Sequence, residues 1–189
     1  MKQSFRRTAL AAAALALSAG FALPAAAQKN PMVGGAPMYA SKNIVENAVN
    51  SKDHTTLVAA VKAADLVGTL SGPGPFTVFA PTNAAFAKLP PGTVEQLVQP
   101  MMKPQLTSIL TYHVVPGRYT SADLMKMVKQ GGGEAKLKTA QGGTLTVLPG
   151  RSGRSVFVSD AKGGTVRVTT ANVIQSNGVI HVVDGVLMP

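Results

Sequence analysis

The two halves of this 189-residue chain space their apolar residues differently, and this contrast constrains the fold more than any other feature. In the first half, apolar residues recur three and four positions apart, which is typical of helices that bury one face. From Lys136 onward, short β-branched runs are separated by Gly-Gly, Arg-Ser-Gly and Asn-Gly, which indicates strands joined by turns. Helices followed by antiparallel strands predict the α+β class.

Several short helices are predicted in the first half. Ser41 suits the N-cap of a helix whose apolar face ends at Val49. A second helix, capped by Asp53 or Thr55, is predicted to continue through Val67 before a Gly- and Pro-rich stop. Two further amphipathic helices are predicted over residues 93–98 and 104–112.

Residues 76–79 are predicted to form a buried strand that passes directly into a helical turn. β-branched and aromatic residues favour the strand, and Pro81 ends it. Thr82 or Asn83 can then cap the helical turn, with Phe86 facing back onto the strand. Near the C-terminus, Asn177-Gly178 is a strong hairpin signal.

The first 27 residues have the composition of a secretory signal peptide. A basic head precedes an Ala- and Leu-rich stretch, which ends in Ala25-Ala26-Ala27 before Gln28. This stretch is shorter than the roughly 20 residues that a membrane-spanning helix needs. We therefore expect an exported protein, periplasmic or secreted, that does not span a membrane. Arg6-Arg7 leaves the twin-arginine route open beside the general secretory one.

The mature chain is expected to comprise an extended leader, residues 28–42, and one domain, residues 43–189. Without Lys2, Arg6 and Arg7 it has 15 basic residues against 8 acidic ones, a formal charge of +7. Ten of the basic residues lie between positions 103 and 167. This half favours acidic partners such as anionic polysaccharide or lipid headgroups, with a solvated surface as the alternative. Nucleic acid is not expected, because no aromatic residues are interleaved with the charges.

The sequence offers few residues for catalysis or metal binding. Cysteine is absent, which excludes thiol catalysis and cysteine-ligated metals. His54, His113 and His181 are not spaced as a helical metal-ligand pair, and no nucleophile elbow or phosphate loop occurs. We therefore expect no enzymatic activity, no metal and no cofactor. His181 should be structural, with its ring on the opposite sheet face from Ile180 and Val182.

Three segments together resemble the signature of the fasciclin-domain family. They are, in chain order, FTVFAPTNAAFAKLP, LTYHVVPGRYTSADL and NGVIHVVDGVLMP. The resemblance covers residues 43–189 and implies helices packed on a mainly antiparallel β-sandwich or wedge. It also implies a non-catalytic binding module of matrices, cell walls and biofilms.

The resemblance assigns roles to individual residues. Tyr112 and His113 match the pair linked with cell-surface receptor binding in animal members, although their position between a helix and a strand also permits a structural role. The remaining motif positions are expected to be structural, and they are Phe79, Pro81, Thr82, Asn83, Phe86, Asn177, Gly178 and His181.

Two functional hypotheses follow. The first is a secreted or periplasmic adhesion protein that binds a cell-surface or matrix polymer, in particular an anionic polysaccharide. The alternative is a soluble carrier that holds an apolar small molecule, such as a carotenoid or lipid, between the N-terminal helices and the sheet. Family members that carry carotenoids in an apolar crevice support this alternative.

Overall fold

The structure, a computed structural model, describes residues 30–150 and 155–189. The signal peptide predicted over residues 1–27 and the predicted start of the leader lie outside the described residues. None of the helices in the described ranges is long and apolar enough to cross a membrane.

Seven helices occur in the described ranges, and six of them lie before residue 113. The seventh lies in the second half of the chain. In chain order they are α1 (Ile44–Ala48), α2 (Thr55–Ala63), α3 (Val67–Ser71), α4 (Asn83–Ala87), α5 (Thr93–Leu97), α6 (Lys103–Tyr112) and α7 (Ser121–Gln130). Two 3₁₀ turns, Lys52–His54 and Pro100–Met102, lead into α2 and α6.

Among the residues that the structure describes, seven strands form one sheet, and an N-terminal hairpin stands apart from it. The hairpin comprises β1 (Met32–Val33) and β2 (Ala36–Pro37). The sheet contains β3 (Phe76–Pro81), β4 (Val114–Pro116), β5 (Ala135–Lys138), β6 (Thr144–Pro149), β7 (Val156–Ser159), β8 (Thr165–Gln175) and β9 (Gly178–Val183). Its order is β4-β3-β9-β8-β7-β6-β5, and every pair is antiparallel except β3 with β9. The predicted α+β class and the wedge of mainly antiparallel strands are confirmed.

The sheet curls so that its two edge strands approach each other. The amide of Ala140, two residues after β5, donates to the carbonyl oxygen of Val114 in β4 at 2.7 Å. One core lies between the N-terminal helices and β3, β8 and β9, and a second lies inside the curled strands under α7. Because β9 separates the two cores, all six of its residues are buried.

The first helix starts later than predicted and buries a different face. Asn43 is the N-cap rather than Ser41, because it forms a capping box with Glu46. Val49, predicted on the apolar face, is 49% exposed, whereas Asn47 is fully buried. The buried amide makes specific hydrogen bonds across the fold, which apolar periodicity does not reveal.

The second predicted helix is two helices. The chain breaks between α2 and α3, where Asp65 adopts a left-handed φ of 59° that an α-helix does not contain. Neither Asp53 nor Thr55 caps α2 with its side chain. Instead the side-chain oxygen of Asn83 accepts a hydrogen bond from the Thr56 amide at 3.0 Å.

Residues 30–42 are packed against the helices rather than simply extended. They contain the β1–β2 hairpin, and Val33 and Met38 are buried in the first core. Asn47 holds the end of this segment, since its side chain exchanges hydrogen bonds with the amide and carbonyl of Tyr39 at 3.0 and 2.8 Å. Asn47 also donates to the side-chain oxygen of Gln175 in β8.

Candidate functional site

The three segments that carry the family resemblance lie side by side in the sheet. The first contains β3, the second contains β4 and the third contains β9, so their strands have the order β4-β3-β9. The Phe79 amide donates to the His113 carbonyl at 2.9 Å, and Phe79 is the parallel partner of His181. Residues far apart in sequence thus form one continuous cluster.

Tyr112 ends α6 and reaches into the second core. Its side chain is 1% exposed. Its hydroxyl donates to the Thr144 carbonyl at 2.8 Å and accepts from the Ala161 amide at 3.0 Å. Burial raises the pKa of Tyr112, which keeps the hydroxyl protonated as a donor. Tyr112 therefore connects the end of α6 to the start of β6 and to the turn that follows β7.

His113 bridges the end of α6 and the C-terminal segment. Nδ1 donates to the Ile109 carbonyl at 2.8 Å, and Nε2 accepts from the Leu187 amide at 3.0 Å. These two bonds require the neutral ring with its proton on Nδ1. Burial lowers the pKa of His113 to about 4. The side chain is 3% exposed, which leaves little of its surface for contact with a partner. Partner contact through Tyr112 and His113 stays a prediction.

His181 is packed on the inner side of the sheet. Its ring stacks on Phe79 with the centroids 5.6 Å apart, and Nε2 donates to the Tyr119 carbonyl at 2.9 Å. Burial lowers the pKa of His181. Ile180 and Val182 belong to the other core, as alternation along a strand requires.

The turn after β3 uses Thr82 and Asn83 for two different helices. Thr82 is the N-cap of α4, since its hydroxyl accepts from the Ala85 amide at 3.2 Å. Asn83 is the first residue of α4, and its side chain points away to Lys52, Thr55 and Thr56. The prediction that Asn83 caps its own helix is therefore wrong, because it caps α2. Pro81 ends β3 as predicted, and Phe86 packs in the first core.

Asn177 and Gly178 lie at the β8–β9 hairpin, but not as a standard Asn-Gly turn. Gln175 pairs with Gly178, so the loop residues are Ser176 and Asn177. The Asn177 side chain donates to the Leu70 and Gly72 carbonyls at 2.8 and 3.0 Å and accepts from the Ile44 amide at 3.0 Å. A Cβ on Gly178 would lie 2.1 Å from the Phe76 carbonyl oxygen. The close approach of β9 to β3 therefore requires a glycine at position 178.

An apolar crevice separates the N-terminal helices from the sheet, and we call it the helix–sheet crevice. Its cavity volume is about 50 Å³. Two histidines, His54 and His113, line it among apolar side chains that include Met38, Ile44, Leu57, Val61, Leu70 and Ile180. No pattern in the sequence indicates that the His54 side chain is buried here.

Four lysines lie on neighbouring surface elements, and we call them the α7–β5 basic surface. They are Lys126 and Lys129 on α7, and Lys136 and Lys138 on β5, and all four are exposed. Lys136 pairs with Glu134 at 3.5 Å. In the part of the chain that the structure describes, the other three lysines form no salt bridge.

Within the described ranges no three acidic or histidine side chains come together as metal ligands.

Comparison with known proteins identifies relatives over nearly the whole chain. The chain is 46% identical to Protein sll1483 of Synechocystis sp. over 167 residues, covering 86% of this chain and 82% of the relative. It is 34% identical to Immunogenic protein MPB70 of Mycobacterium bovis, covering 100% of this chain and 98% of the relative. Cell surface glycolipoprotein MPB83 of the same species is 34% identical over 169 residues, or 87% and 68% of the two chains.

A solved structure and a family model agree with these relatives. The structure of a FAS1 domain pair from the insect cell adhesion molecule fasciclin I matches with a TM-score of 0.69 at 21% identity. The match covers 78% of this chain and 51% of that chain, so this protein spans about half the length of the domain pair. The Fasciclin domain model matches residues 52–189. The chain therefore belongs to the fasciclin-domain family.

Proposed function

We propose that this protein is an exported, non-catalytic adhesion module whose α7–β5 basic surface binds an anionic polysaccharide of the cell surface or matrix. The observation that carries the proposal is the group of four exposed lysines on a fasciclin domain, three of which form no salt bridge within the described residues. The name of the relative MPB83 places that protein at the cell surface. The signal-peptide composition of residues 1–27 supports export of this chain to the periplasm or beyond.

The placement of the lysines suits a polymer better than a small ion. Lys126 and Lys129 are three residues apart on one side of α7, and Lys136 and Lys138 alternate outward on β5. Hydrated charges spread over adjoining elements match repeated charges along a flexible chain. Exposed charges interact weakly one by one, so binding should depend on several lysines together and fall as salt rises.

Salt-dependent binding to alginate tests this proposal. The variant Lys126→Gln/Lys129→Gln/Lys138→Gln should elute from immobilised alginate at clearly lower NaCl concentration than the unaltered protein. The matched control, Lys42→Gln/Lys52→Gln/Lys62→Gln, removes the same charge from the helical half and should elute close to the unaltered protein. Equal shifts in the two variants would show attraction by net charge alone and would contradict a defined surface.

We propose carriage of an apolar small molecule as a second function, because the helix–sheet crevice lies where such a ligand would be held. Its volume of about 50 Å³ is well below the roughly 150 Å³ of a protein cavity that binds benzene. A carotenoid or lipid would therefore enter only if the helices moved away from the sheet. Protein purified from its native host should then carry an extractable apolar compound, seen by absorption or mass spectrometry. A preparation free of any such compound would argue against carriage.

A further inference from the structure

Residues 185–189 follow β9 outside any helix or strand, and titratable side chains hold part of their backbone. The Leu187 amide donates to Nε2 of His113 at 3.0 Å, and the Met188 amide donates to Oδ2 of Asp160 at 3.1 Å. The Leu187 side chain is fully buried in the second core. Two consecutive amides of this segment are therefore bonded to groups that can take up a proton.

We propose that the contact between His113 and Leu187 is a proton-sensitive switch, in which a proton on the His113 ring releases residues 185–189 while the rest of the domain stays folded. The release withdraws Leu187 from the second core and brings an apolar run, Val186-Leu187-Met188, into solvent. This inference goes beyond the proposed functions, since it uses neither the α7–β5 basic surface nor a ligand in the helix–sheet crevice.

The hydrogen bonds of the His113 ring leave one place for a second proton. Nδ1 already carries the proton that it donates to the Ile109 carbonyl at 2.8 Å, so a further proton must bind Nε2. That nitrogen faces the N–H of Leu187, and two N–H groups cannot form a hydrogen bond with each other. Protonation therefore breaks the contact with Leu187 and leaves the contact with Ile109 in place.

His181 is a buried ring whose contacts lie elsewhere. Its Nε2 donates to the Tyr119 carbonyl at 2.9 Å, and its Nδ1 lies 3.5 Å from the Asn172 amide. Both partners lie outside residues 185–189, so a proton on His181 does not act on this segment directly. Other titratable or charged groups around His113 and the segment are Tyr112 before it on α6, His54 in the helix–sheet crevice, and Asp184 with Lys88.

The released state binds the proton more tightly than the closed state. Burial lowers the pKa of His113 to about 4 in the closed protein, and the Ile109 carbonyl and the Asp160 carboxylate offset only part of this effect. After release, water replaces the Leu187 amide at Nε2, and the pKa rises towards the 6.5 of an ordinary histidine. Release is therefore independent of pH above 6.5, where the ring is neutral in both states, and becomes more favourable as the pH falls to about 4. The ratio of released to closed protein should rise about tenfold per pH unit, and up to about 300-fold over this interval.

Hydrogen exchange followed by NMR tests the switch on the mature protein. The protection factor of an amide compares its exchange rate with that of an unfolded peptide at the same pH. For the amides of Leu187 and Met188, protection should fall about tenfold per pH unit between about pH 6 and pH 4.5. The Phe79 amide, which donates to the His113 carbonyl within the sheet, should stay better protected than both, because it exchanges only through a larger opening.

A long-range ¹H–¹⁵N spectrum follows the protonation of His113 without any variant. The Nε2 resonance should reach the position of a protonated imidazole with the same midpoint at which the Leu187 amide takes the chemical shift of an unstructured chain. A charged ring in a protein that still protects the Leu187 amide would overturn the proposal.

Two histidine variants identify the group that responds to the proton. His113→Gln cannot titrate and should lose the pH dependence of Leu187 protection. His181→Gln removes a buried ring that is not bonded to residues 185–189, and it should keep that pH dependence. If His113→Gln folds poorly, the titration of the unaltered protein still decides the matter.

Two further outcomes would contradict the switch. Equal protection of Leu187 and Phe79 at every pH would show that residues 185–189 open only when the whole domain unfolds. A pH dependence that persists in His113→Gln would assign the response to another group, such as Asp160, and would overturn the role of His113.

Discussion

His113 and His181 each use both ring nitrogens inside the fold. The ring of His113 joins the Ile109 carbonyl to the Leu187 amide. Nε2 of His181 donates to the Tyr119 carbonyl, and its Nδ1 lies 3.5 Å from the Asn172 amide. A neutral imidazole provides one donor and one acceptor, so it can join two backbone groups that lie in different elements. At this scale both histidines connect separate elements of the domain.

The substitution His113→Ala should lower the free energy of unfolding by about 1–3 kcal/mol, because it leaves the Ile109 carbonyl and the Leu187 amide unpaired in the interior. Urea unfolding followed by circular dichroism measures the change. Met101→Ala, at an exposed side chain, should change stability by less than about 0.5 kcal/mol. An unaltered stability of His113→Ala together with weaker alginate binding would instead favour direct partner contact.

The stability of the protein should decrease in mild acid. The pKa of His113 is about 4 in the folded protein against 6.5 for an ordinary histidine, so between these values the unfolded chain binds more protons. The neutral, buried ring of His113 therefore stabilises the folded protein fully above pH 6.5, and this contribution is lost as the pH falls to about 4. For this one group the free energy of unfolding should decrease by about 3 kcal/mol. Urea unfolding at pH 7.5, 5.5 and 4.5 measures the loss.

The variant His113→Gln cannot titrate at this position and provides the comparison for the pH series. It should be less stable at pH 7.5 but show a shallower decline towards pH 4.5. Burial also lowers the pKa of His54 and His181, so part of the decline should remain. Parallel pH profiles for the two proteins would contradict the assignment to His113.

Among the elements, β9 depends most on close packing of the backbone. It pairs in parallel with β3 and antiparallel with β8, and it is buried on both faces. Gly178 begins this strand beside the Phe76 carbonyl. A side chain here would have to displace backbone on the neighbouring strand, since no flexible group takes up the contact.

Gly178→Ala should therefore destabilise the protein by roughly 3 kcal/mol or more, in the range seen for overpacked sites. Gly68→Ala is the matched control, because Gly68 lies within α3 and a Cβ there would meet nothing within 4 Å. The control should be stabilising by about 0.5–1 kcal/mol through helix propensity. Thermal unfolding of both variants checks the contrast, and a Gly178→Ala variant as stable as the control would contradict the packing argument.

Strands were easier to predict from the sequence than helix boundaries. The β-branched runs that gave β5 to β9 were separated by turn residues, so each run was delimited locally. In contrast, α7 was not predicted, although Thr120 and Asp123 form a capping box and Leu124 and Val128 are spaced as a buried helical face. The break between α2 and α3 depends on the left-handed residue Asp65, which apolar periodicity does not signal.

At the scale of the whole molecule, the segment before α1 is attached to the domain rather than separate from it. Val33 and Met38 are 7% and 2% exposed. Asn47 connects this segment to α1 and, through Gln175, to the sheet. The domain boundary predicted at Asn43 therefore cuts through a buried contact.

Removing residues 28–42 from the mature chain should lower the free energy of unfolding by about 3 kcal/mol or more, because two buried apolar side chains contribute roughly 1.5–3 kcal/mol each. Removal of residues 28–30 alone, which leaves β1 intact, should have little effect. Chemical unfolding compares the three chains. If the longer deletion were as stable as the shorter one, the hairpin would contribute nothing to the core.

Local sequence was sufficient to indicate the α+β class, the strands β5 to β9 and the family, because periodicity and motif residues act over a few positions. The family motifs also include Tyr112, His113 and His181. Only the tertiary structure decided that their side chains form hydrogen bonds with backbone groups and that His54 lies in an apolar crevice. It also decided that Gly178 is needed where β9 approaches β3. Each of these depends on which distant segments become neighbours, since a hydrogen bond or a steric contact is defined by its second partner.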